Sequence, residues 1–96
     1  MEVEWSPKSR LDYIENIDYL LEQWTEKEVF SFNESIDYHI KLIKSGRISF
    51  TKTKYKNVFK VIIVRQITLF FAIVDNTIRL LRFWNNYQNP DDFKLQ

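Results

Sequence analysis

Lys52, Lys54 and Lys56 alternate with Thr51, Thr53 and Tyr55, so an extended backbone places three ammonium groups on one side with an aromatic ring interleaved. Such a comb can track a phosphate backbone, and it can equally protect a sheet edge from pairing with another chain. Arg65 lies further along and joins the lysines as a candidate contact to a charged target. Lys60, Arg82 and Tyr87 are the candidates for chemistry, since acid–base work needs a group that moves a proton and a cation that stabilises developing negative charge. Lys60 or Arg82 supplies charge and Tyr87 a hydroxyl, which is a thin set. His39 borders an apolar helical stripe and reads as a structural imidazole. There is no cysteine, which removes disulfides, thiolate zinc sites and a thiol nucleophile, and with one histidine no metal or cofactor is expected.

The positions of the charges matter more than their sum, which is only +1. Residues 1–48 carry six cations and ten acids, a net of −4, whereas residues 49–96 carry eight cations and three acids, a net of +5. A near-neutral total conceals an acidic first half and a basic second half. The acidic start (Glu2, Glu4) has no apolar stretch of signal-peptide type, and the longest apolar run, Leu69 to Val74, is far short of the roughly 20 residues of a membrane helix. A cytoplasmic chain with no membrane contact is expected.

These residues must be positioned by one small domain, residues 1–96, since domains run from roughly 50 to 250 residues. Eight Phe, five Tyr and three Trp supply a dense core. Val3 and Trp5 alternate with acids as in a short strand, and Ser6-Pro7 reads as an N-cap followed by the first helical residue. Ile14, Ile17, Leu21 and Trp24, widened by Leu11, Tyr13 and Leu20, predict a helix that buries this stripe and solvates Asp12, Glu15, Asp18 and Glu22. Thr25 and Glu28 fit a capping box for a second helix with the stripe Val29, Phe32, Ile36, Ile40 and Ile43, closed by Gly46. Three β-branched and aromatic runs follow, Val58–Val64, Ile67–Val74 and Ile78–Trp84, separated by Arg65-Gln66 and Asp75-Asn76. The order is β-α-α-β-β-β, an α+β fold with an N-terminal helical hairpin on one face of an antiparallel sheet.

Two-residue turns assign each side chain to a face. The helix-facing side then holds Val58, Lys60, Ile62, Val64, Ile67, Leu69, Phe71, Ile73, Ile78, Leu80 and Trp84, with Arg82 beside Trp84. The other side holds Phe59, Val61, Ile63, Phe70, Ala72, Val74, Leu81 and Phe83 with Thr68, Thr77 and Arg79. Two helices cannot cover both, so a partner is expected on the second face, with Phe59, Val61, Phe70, Arg79, Leu81 and Phe83 as its contacts. The alternative is that segment 47–57 and the tail fold back over it.

The opening Val3-Glu4-Trp5-Ser6-Pro7, the spacing of Leu11, Ile14 and Tyr19-Leu20, the run Phe70-Phe71-Ala72-Ile73-Val74-Asp75, and Ile78-Arg79-Leu80-Leu81-Arg82-Phe83-Trp84 leading to Gln88-Asn89-Pro90 together resemble the RelE/ParE superfamily of bacterial type II toxins. The resemblance spans nearly the whole chain. It implies a toxin neutralised by a cognate antitoxin, and a homodimer through the exposed sheet face is a further option. RelE-like members cleave mRNA on the ribosome with strand cations and a C-terminal Arg and aromatic hydroxyl; ParE-like members lack that set and act on DNA gyrase. Here Lys60 falls near one basic position. Thr68 stands where a strand Arg is expected, Tyr87 or Gln88 where a later Arg is expected, and Phe93 at the terminal aromatic position. The resemblance therefore implies ParE-like inhibition of gyrase, with ribosome-dependent mRNA cleavage by an altered site or an inactive binding module as the alternatives.

Overall fold

The computed structural model describes residues 1–95. β1 (Glu2–Trp5) leads into α1 (Pro7–Gln23) and α2 (Glu26–Ser45), and these are followed by β2 (Thr51–Lys52), β3 (Val58–Val64), β4 (Ile67–Val74), β5 (Thr77–Asn85) and a single 3-10 turn, Pro90–Asp92. The strands form one sheet in the order β1-β5-β4-β3-β2, antiparallel except that β1 runs parallel to β5. The expected α+β order is thus present, with β2 added as a two-residue edge strand.

Local signals set the helix ends. Ser6 is extended and its hydroxyl accepts from the Ser9 amide, with Pro7 opening α1. At α2 the Thr25 amide donates to the Glu28 carboxylate at 3.0 Å, the Thr25 hydroxyl donates to it at 2.5 Å, and the Lys27 amide donates to the Thr25 hydroxyl. Gly46 ends α2 at φ 67°, the left-handed region where a Cβ would add strain. The β4–β5 hairpin turns on Asp75 and Asn76, both at positive φ, the geometry that matches the twist of the flanking strands.

The helices pack on one face over Leu20, Phe32, Ile36, Ile43, Ile63, Ile67, Leu69, Phe71, Ile78, Leu80 and Phe83. The stripe expected of α2 is the one it buries, but that of α1 is rotated. Its buried line is Ser9, Asp12, Asn16 and Leu20, while Leu11, Ile14 and Leu21 are about half exposed. Asp12, expected in solvent, is instead buried. The cause lies at the sheet edge. β1 pairs with only the first half of β5, from Thr77 to Leu80. Beyond it the Phe83 N–H donates to Asp12 Oδ2 at 3.1 Å, and Asn16 Nδ2 donates to the Phe83 carbonyl at 2.9 Å. Side chains of α1, one turn apart, thus take the place of a missing neighbour strand.

Two bulges revise the expected faces. In β3 the register shifts between Ile62 and Val64, and in the β4–β5 pair it shifts at Phe70/Phe71, where Phe71 opposes Leu80 and Phe70 opposes Arg82. An extra residue reverses which side the following residues face. Phe59, Val61 and Ile63 therefore pack with the helix-side core and Phe83 is fully within it, whereas Lys60 and Ile62 are exposed. Trp84 and Arg82 lie with Phe70 and Thr68 on the side away from the helices.

Removing the Asp12 carboxylate strands both the Phe83 amide and a buried guanidinium. Asp12→Ala is expected to cost about 3–5 kcal/mol in urea unfolding, and Asp12→Asn less because one acceptor oxygen survives. Hydrogen bonds from the Thr25 hydroxyl, then from its amide, hold the Glu28 carboxyl below its usual range. A depressed folded pKa contributes stability that is complete above the unfolded value and is lost as pH falls through the folded one. The Thr25 amide resonance should therefore titrate with a midpoint below the ordinary glutamate value of about 4.3, and Glu28→Gln should abolish that titration.

Candidate functional site

The sheet face away from the helices carries a cross-strand row of Lys60, Phe70 and Arg82, each opposite the next on β3, β4 and β5, with Ile62, Thr68 and Trp84 in the adjoining row. Lys60 and Arg82 are thus two strands apart, about 10 Å at the usual spacing, with the Phe70 ring between them. A groove of about 670 Å³ opens where β2 leaves the edge of β3 uncovered; its lining includes His39, Ser49, Lys60, Thr68, Trp84 and Asn86, and no carboxylate.

Arg82 is fixed on all sides. Its Nε donates to Asp12 Oδ2 at 2.6 Å and its Nη2 to Asp12 Oδ1 at 3.1 Å, a bidentate pair with both side chains buried. Nη1 donates to the Lys94 carbonyl, and the guanidinium lies 5.6 Å from the Trp84 ring and 5.7 Å from that of Phe93. The third chemical candidate, Tyr87, lines a cleft with Arg82, Asp12 and Glu15 on the α1 side, outside the groove that holds Lys60. Its ring stacks on Trp24 at 6.4 Å, and the Arg65 guanidinium lies 4.5 Å from the Trp24 ring. Lys60, Arg82 and Tyr87 are not brought into one site.

The other candidates divide. Lys52, Lys54 and Lys56 are exposed around the short β2, with Lys54 Nζ 5.5 Å from the Tyr55 ring. His39 Nδ1 donates to the Ser35 carbonyl at 2.8 Å, while the Ser35 hydroxyl donates to the Ile63 carbonyl at 2.5 Å. That leaves Nε2 as the acceptor nitrogen of His39. Of the expected partner face, Phe59, Val61 and Phe83 belong to the core for the reason given by the bulges, and Leu81 is half-buried. Arg79 is exposed and pairs with Glu4 at 3.2 Å. Phe70 is on the open face but is covered, because Phe93 from the tail packs on it at 4.5 Å and on Trp84 at 5.1 Å. The centre of the face offered for a homodimer is therefore occupied by the chain itself.

Sequence reasoning missed an apolar exposure on the helices: Leu11, Ile14, Leu21 and Phe30 are 47% to 66% exposed. The signal was the spacing of Ser9, Asp12, Asn16 and Leu20, a mostly polar line at helical period, which reads as solvated unless a strand edge requires it. Among the described residues no group of three or more His, Cys, Asp or Glu is placed to hold a metal ion, and no helix is long and apolar enough to cross a membrane.

No protein-family model and no curated protein sequence matches the chain. Solved structures do. The chain is similar to one from a chromosomal ParDE toxin–antitoxin system of P. aeruginosa, with a TM-score of 0.71 and 15% identity, covering 88% of this chain and 95% of that one. It is similar to a copper-bound mutant toxin from Helicobacter pylori, with a TM-score of 0.65 and 14% identity over 90% of this chain and 94% of that one. It is also similar to YoeB of Staphylococcus aureus, solved as a dimer, with a TM-score of 0.64 and 16% identity over 91% and 98%. A helical hairpin against one face of a β1-β5-β4-β3-β2 sheet, matched over nearly the full length of three such proteins, is the RelE/ParE toxin fold.

Proposed function

We propose that the chain is the toxin of a bacterial type II toxin–antitoxin pair, active in the cytoplasm, and that it inhibits DNA gyrase by binding it, without chemistry. The observation that carries this is the state of Arg82. A guanidinium that stabilises a phosphorane must reach the phosphate, yet this one is buried, bonded to both oxygens of Asp12 and to the Lys94 carbonyl. Tyr87 is engaged in a stack on Trp24, and Lys60 is separated from Arg82 by Phe70. The apolar residues left outside on the helical hairpin, Leu11, Ile14, Leu21 and Phe30, supply a surface for a cognate antitoxin. The exposed Lys52, Lys54 and Lys56 supply charge to meet the target.

One observation favours a second reading, ribosome-dependent mRNA cleavage. Lys60 and His39 share a groove that no carboxylate lines. Expression from a tightly controlled promoter separates the two. Gyrase binding predicts filamentation and DNA damage, together with inhibition of supercoiling by the purified chain. Immediate translational arrest with cleaved mRNA would favour the second reading, and normal growth would leave only a binding module. Tyr87→Phe keeps the stack on Trp24 and is expected to leave toxicity unchanged and stability within about 0.5 kcal/mol; a loss of toxicity with intact folding would place its hydroxyl in the mechanism.

A further inference from the structure

The tail is held to the sheet by very little. Pro90, Asp91, Asp92 and Lys94 are exposed, and the 3-10 turn is closed within itself, by the Asp92 amide on the Asn89 carbonyl and the Phe93 amide on the Pro90 carbonyl. The described contacts of the tail with the body are the Phe93 ring, the Lys94 carbonyl, Asp92 at the rim of a cleft beside α1, and a half-buried Leu95. Phe93 enters a cradle formed by Phe70, Trp84 and Tyr55, with centroid distances of 4.5, 5.1 and 6.2 Å, and the Lys94 carbonyl accepts from Arg82.

The cradle would exist without the tail. Phe70 and Trp84 are fixed on adjacent rigid strands, Arg82 is oriented by Asp12, and Tyr55 is carried by the turn before β3. It is an aromatic box with a preoriented donor at its rim. We propose that this cradle is a peptide-docking site, that residues 90–95 are a displaceable strap filling it, and that its external ligand is an extended segment carrying an aromatic residue preceded by acids.

The strap itself displays that chemistry: Asp91 and Asp92 precede Phe93, whose ring fills the box, and the next carbonyl meets Arg82. The surroundings agree in charge. Lys54 and Lys56 flank Tyr55 and Lys60 stands opposite Phe70, whereas the cleft on the α1 side, where Asp92 lies, mixes Lys8 and Arg82 with Asp12 and Glu15. A short segment outside the sheet's hydrogen-bond ladder opens locally more often than the sheet unfolds, so an intermolecular ligand competes with an intramolecular one. The chemistry of the cradle does not depend on which target the chain inhibits.

A fluorescent, amide-capped peptide spanning Asn89 to Leu95 tests this against the full-length wild type and full-length Phe93→Ala. A strap open for about 1–10% of the time predicts that Phe93→Ala binds the peptide roughly 10- to 100-fold more tightly than wild type, and that the same peptide with Phe replaced by Ala does not bind. Equal affinity for both chains, binding to neither, or self-association of Phe93→Ala in place of peptide binding would overturn the proposal. So would loss of the cooperative melt in Phe93→Ala, because the tail would then be core. In the wild type, the Phe93 and Leu95 amides should exchange with solvent at least tenfold faster than those of β4; exchange only through global unfolding would refute a strap.

Discussion

A sheet whose last-formed strand is only half paired leaves backbone donors and acceptors that the protein interior cannot tolerate. β5 is in that position, because β1 stops at the level of Leu80 while β5 continues to Asn85. Asp12 and Asn16 close the gap, and everything else about the first helix follows from it. The helix must present a polar line to the strand, so it cannot also bury Leu11, Ile14 and Leu21. Asp12 then sits in a buried place where its charge needs a counterpart, and Arg82 supplies it in bidentate geometry. The same guanidinium is thereby removed from the pool of groups available for work on a substrate. One requirement of backbone hydrogen bonding thus reaches from the sheet edge to the placement of the guanidinium on its far face.

Much of this was legible in the residues. Ser6-Pro7, the Thr25–Glu28 box, Gly46 and Asp75-Asn76 each have a local stereochemical reason that does not depend on distant partners, and the structure has each of them where the sequence places it. What was not legible is non-local. A bulge adds a residue to one strand without any residue type announcing it, and two bulges moved Phe59, Val61 and Phe83 into the core and Lys60, Ile62 and Trp84 out of it. The polar line on α1 was invisible for the same reason: hydropathy reads Asp12 as solvated, and only the vacancy beside β5 explains its burial. Of the candidate site, the grouping was not legible, since Lys60 lies in one groove while Arg82 and Tyr87 line a cleft on the α1 side and rest against different aromatic partners.

The abundance of aromatic residues also has a specific use here. The rings of Trp5, Tyr13, Phe32 and Phe83 form one cluster at the meeting of helices and sheet, and Tyr55, Phe70, Trp84 and Phe93 form another on the far side. The first is enclosed by secondary structure. The second is closed by a short tail, so two clusters of similar composition differ in how readily each is opened.

The parallel pairing of β1 with β5 has a consequence in time as well as in space. Glu2 lies beside Thr77 and Trp5 beside Leu80, so a strand made before both helices finds its neighbour only after the rest of the sheet has been made. At translation speeds of about 5–20 residues per second, roughly 4–15 s pass between the synthesis of β1 and that of the strand it joins. During that interval the helical hairpin exists without the sheet edge its polar line is built to satisfy. The contact between β1 and β5 is therefore closed only after every other strand of the sheet has been made.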